Sequence, residues 1–107
     1  MSVRLSKPWR PLAAAGSLPG QLGVYELGDA GGTVLYIGFA GGRSQFGLRS
    51  AVQEGSGTVP EASHFRVEVT TAYHTRYREL LMAHVADHGA LPTANDPVPG
   101  LGKLTPA

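Results

Sequence analysis

The chain predicts an α+β domain, on three observations: two short strand-like runs around a glycine-rich turn, one cleanly alternating apolar run, and two stretches with helical spacing. At 107 residues it is long enough for one domain with a small core and no more. We therefore expect a single domain over residues 1–107, with residues 1–20 an arm packed on it. That arm is punctuated by Pro8, Pro11 and Gly16 and shows no sustained period, so Trp9 is its expected anchor.

Residues 22–27 and 33–38 are the first two strands, joined by "GDAGG", whose glycines and aspartate accept the backbone angles of a hairpin turn. Each strand carries a tyrosine and a glycine, in "GVY" and "YIG". If Tyr25 faces Tyr36, Gly23 faces Gly38, and both tyrosines share one face of the sheet. A glycine inside a strand packs nothing, so its presence implies a close approach.

Ser44 is the expected N-cap of a first helix running to about Glu54, where "GSG" stops it. Residues 64–70, "HFRVEVT", alternate, with Phe65, Val67 and Val69 pointing one way, and form the third strand. A second helix covers residues 74–88, stopped by Gly89 and followed by the irregular "LPTANDPVPG". Its wheel puts Tyr77, Leu80, Leu81, His84 and Val85 in one stripe, while Met82, Ala83 and Ala86 leave much of the rest apolar or small. Glu79 falls among those small residues. It is either a carboxylate set against the protein body or a surface acid paired with Arg76 or Arg78.

The chain has 42% hydrophobic and 16% charged residues, which excludes a wholly disordered protein. The absence of cysteine excludes a disulfide framework and cysteine-ligated zinc. No stretch is long enough to span a bilayer and the first residues lack the apolar run of a secretory signal, so the expected location is the cytoplasm. A formal charge of +1 attracts a polyanion only weakly, so any nucleic-acid contact must come from local clustering of Arg43, Arg49, Arg76 and Arg78.

These residues resemble the GIY-YIG nuclease superfamily, which includes repair and homing endonucleases and some restriction enzymes. "GVY" at Gly23 to Tyr25 and "YIG" at Tyr36 to Gly38 look like its two name-giving motifs. Glu79 in "YRELL" takes the place of its metal-binding glutamate, and Asn95 in "LPTAN" that of its terminal asparagine. The resemblance implies a sheet of three antiparallel strands flanked by helices. It also implies hydrolysis of DNA phosphodiester bonds with Mg2+ or Mn2+ held at Glu79, the other positions of the ion going to water and phosphate. Tyr25 or Tyr36 would orient or deprotonate water, Arg49 would meet the phosphoryl charge, and Asn95 would brace the site. Arg43, Arg76 and Arg78 would contact nucleic acid, and a partner protein is a further expectation. The sequence departs from the pattern where many relatives carry lysine and it has Phe39. The arginine is also displaced, with Arg43 before and Arg49 after the usual place, and Ala51 stands near the position of a further tyrosine. The alternative is therefore a catalytically weak or inactive domain that binds nucleic acid or a protein.

Two other patterns carry less. His84 and His88 lie one helical turn apart without a third zinc ligand or the glutamate of a protease helix, so capping or partly buried histidines are the expectation. "GFAGGRS" precedes a helix but lacks the glycine and lysine spacing of a nucleotide-binding loop.

Overall fold

The computed structural model describes residues 4–42, 46–98 and 101. A short strand β1 (Arg10–Pro11) leads into a 3-10 turn (Leu12–Ser17). Then follow β2 (Gly23–Gly28), β3 (Val34–Ala40), helix α1 (Gly47–Thr58), β4 (His64–Val69) and helix α2 (Tyr73–His88). The strands form one antiparallel sheet in the order β1-β4-β2-β3.

The sheet has four strands where three were expected. The addition is β1, in which Arg10 pairs with Phe65 and Pro11 with His64. Two residues are too few to show alternation, and Pro11 is tolerated because β1 is an edge strand. Beside it Trp9 lies on Gly28, where a Cβ would come within 2.6 Å of the indole. The Arg66 guanidinium stacks 4.2 Å from the centre of the Trp9 ring.

The hairpin register also differs from the expected one. Tyr25 pairs with Gly38 and Leu27 with Tyr36, with a bulge between Leu27 and Gly28. A shift of two residues keeps both tyrosines on one face, and the glycine explains it. A Cβ on Gly38 would stand 2.4 Å from Cζ of Tyr25, so the Tyr25 ring lies flat across the space that Gly38 leaves. The turn is closed by Asp29, whose Oδ1 accepts from the N–H groups of Gly31 (2.9 Å) and Thr33 (3.0 Å).

The two sheet faces carry separate cores. Tyr25, Leu27 and Phe65 pack with Leu48, Ala51 and Val52 of α1, and on the other face Val24 and Ile37 pack with Leu80 and Leu81 of α2. Alternation along β2 enforces this division. Helix α1 does not stop at "GSG" but runs through Gly55 and Gly57 to Thr58. Its N-cap is Phe46, and the expected Ser44 cap lies outside the described residues. Helix α2 ends as expected at Gly89, in the left-handed conformation with φ 79°, its N–H donating to the Val85 carbonyl. Among the described residues no helix is long and apolar enough to cross a membrane.

Candidate nucleic-acid interface

Because β3 and β4 both run antiparallel to β2, their last residues finish side by side: Gly23 pairs with Ala40 on one flank and with Val69 on the other. Helix α1 follows β3 and helix α2 follows β4, so both helices set out from this one end of the sheet. Neither has a side-chain cap or an acidic residue in its first turn, which leaves the positive end of each helix dipole unopposed there. The start of α1 needs glycine. Gly47 has φ 56°, and a Cβ on it would lie 2.5 Å from the Gln21 carbonyl oxygen, which accepts from the Leu48 N–H at 2.9 Å.

The same end gathers the exposed apolar side chains. Among the described residues the large hydrophobics that face solvent are Phe39 (38% exposed), Phe46 (48%) and Val69 (51%). Phe39 stacks on Tyr73 with centroids 5.6 Å apart and planes 16° apart, and also meets His74 edge-on and Tyr77 at 4.9 Å. Gly41 lets Tyr73 come close, since a Cβ there would lie 2.9 Å from its ring. The Arg49 guanidinium lies 5.1 Å from the centre of the Phe46 ring. The two segments that carry these side chains, residues 39–50 and 69–78, hold four of the nine Lys and Arg residues and none of the eight acidic ones. Of these four, Arg49 lies against Phe46, Arg76 is paired with Glu68 and Glu79, and Arg43 lies outside the described residues.

Among the residues singled out from the sequence, Tyr25 and Tyr36 lie side by side and Glu79 meets Arg76. Tyr25 is 4% exposed, and its phenol is pushed well above the usual tyrosine range, chiefly by burial and then by the neighbouring Tyr36 and Tyr77 hydroxyls and Glu54. Tyr36 stands half-buried beside it, with ring centroids 6.0 Å apart. Tyr77 is also pushed up, by burial and then by Tyr36, while Arg78 opposes the shift. The Glu79 Oε1 is 3.5 Å from Arg76, whose guanidinium clasps both carboxylate oxygens of Glu68 on β4 at 2.8 and 3.1 Å. Arg76 is thus held within the protein, with its side chain 13% exposed. Arg43 lies outside the described residues.

Asn95 braces rather than reacts. Its Oδ1 accepts from the Ile37 N–H and its Nδ2 donates to the Ile37 carbonyl, both at 2.9 Å, so the side chain substitutes for a neighbouring strand on the open edge of β3. Glu79 meets Arg76 through Oε1 alone and is 40% exposed, so a divalent ion held there would share the carboxylate with that guanidinium and take its other positions from water and phosphate. The His84 Nδ1 is 2.8 Å from the Ala90 carbonyl, and its ring packs on His88 at 4.4 Å.

Residues 3–87 match the domain of unknown function DUF7508. The chain belongs to this family. That match overturns the resemblance to the GIY-YIG superfamily, because the family found is not one of its members. The DUF7508 domain has a packing cause for the strings that suggested it. Gly38 makes room for the Tyr25 ring, and a Cβ on Gly23 would lie 2.2 Å from the Glu68 carbonyl oxygen. No curated protein matches the chain. Sequence reading missed the role of Phe46 and the ion pair of Glu26 with Arg66, at 2.7 Å with Glu26 only 5% exposed. The signal for the first was available: arginines without acids around "FAGGRSQFGLRS" and "YHTRYR" mark the two segments that meet.

Proposed function

We propose that this domain binds nucleic acid at the sheet end where α1 and α2 begin. The observation that carries the reading is the collection of the exposed large hydrophobics at that one end, with the Arg49 guanidinium against one of them. Aromatic rings supply stacking area, while guanidinium groups and two uncapped helix starts supply positive charge, the combination that a base-bearing polyanion needs. The test is fluorescence anisotropy with labelled DNA and RNA oligonucleotides across a salt series. Binding that weakens as salt rises, by a slope of roughly one to three released counterions, is the expected result. Arg49→Ala should lower both affinity and slope. Absence of binding at low salt would refute the reading.

A second reading, cleavage of DNA with Mg2+ or Mn2+, is favoured by one feature, the apposition of the Tyr25 and Tyr36 phenols, with ring centroids 6.0 Å apart. Plasmid incubated with either ion should stay intact if binding is the whole activity. Nicking that disappears in both Glu79→Ala and Tyr36→Phe would establish the hydrolytic reading instead.

A further inference from the structure

We infer that the nucleic acid taken at this end is an unpaired strand, an inference that rests on the nucleic-acid reading above and narrows it to a substrate class. A duplex turns phosphates outward and shows base edges in its grooves, so it offers a base face to an aromatic ring only where its steps are pried apart at a cost of about a few kcal/mol. Phe39 and Phe46 present ring surface to solvent, with Tyr73, His74 and Tyr77 gathered around the first and Arg49 against the second. Stacking of successive bases on such rings requires that the bases be free of partners. The electrostatics agree. Duplex binding draws most of its affinity from many phosphate contacts, whereas this chain has a formal charge of +1 and its Arg76 is already held by Glu68.

A competing occupant, a peptide adding to the β3 edge, finds part of that edge taken. The β3 backbone already bonds the Asn95 side chain at Ile37, and the Leu35 carbonyl accepts from the Ala94 N–H.

The experiment compares one labelled mixed-sequence single strand with the same strand annealed to its complement, at one low salt concentration, by anisotropy. The single strand should bind about tenfold more tightly than the duplex, and Phe39→Leu and Phe46→Leu should each weaken single-strand binding about fivefold or more. Leucine keeps the bulk and removes the ring, and circular dichroism with a urea midpoint shows that each variant is folded. Duplex bound as tightly as the single strand, or leucine variants that bind unchanged, would overturn this inference and leave the nucleic-acid reading standing. Failure of both forms to bind would overturn the reading beneath it.

Discussion

Single side chains already explain why this sequence is built as it is. Glu26 sits on the central strand, buried, with the Arg66 Nε–H donating to it at 2.7 Å. Burial raises its carboxyl above the usual range, and Arg66 and then Arg76 pull it back only in part. A group raised in the folded state contributes stability that is complete below its unfolded pKa, about 4.3, and is lost as pH rises through the folded value. The stability gap between wild type and Glu26→Gln should therefore move against wild type as pH rises from about 4. Paired urea titrations at several pH values check this, and a gap that moves the other way would mean that Arg66 outweighs burial. Removing the partner is a separate matter. Arg66→Met should cost about 3 kcal/mol at neutral pH, because it leaves a buried carboxylate without its cation. Gly38→Ala should cost about 2 kcal/mol by urea denaturation, since the Tyr25 ring has nowhere to go.

At the scale of elements, helix α1 shows why a residue pattern can be misread. "GSG" has the composition of a stop, yet the helix continues through it with Gly55 set against Tyr25. A Cβ on Gly55 would lie 2.8 Å from the Tyr25 hydroxyl, while one on Gly57 would meet nothing within 4 Å. The two glycines should then respond in opposite senses to one substitution. Gly57→Ala should gain about 0.5–1 kcal/mol from helix propensity, and Gly55→Ala should lose about 1–2 kcal/mol from overpacking. Thermal melts of the two variants decide it, and equal gains would show that Gly55 has no packing duty. The strands and α2 were legible because alternation and the Gly89 stop are local signals. The register was not, since it depends on which glycine lies under Tyr25, a relation between β2, β3 and α1 that no single segment displays. The two-residue β1 was invisible for the same reason: its only evidence is its partner.

The molecule as a whole explains the candidate site better than any motif within it. Antiparallel pairing of β3 and β4 with β2 brings two chain segments, some thirty residues apart, to one end. The basic, aromatic segments could be read from the sequence. Their convergence could not, because it follows from strand order. The most direct measurement is a 15N–1H correlation spectrum of the labelled domain titrated with a single-stranded oligonucleotide. The account predicts that perturbed amides concentrate at Phe39–Gly42, Phe46–Arg49 and Tyr73–Tyr77. Perturbations confined to the far ends of the helices, or none at saturating oligonucleotide, would contradict it.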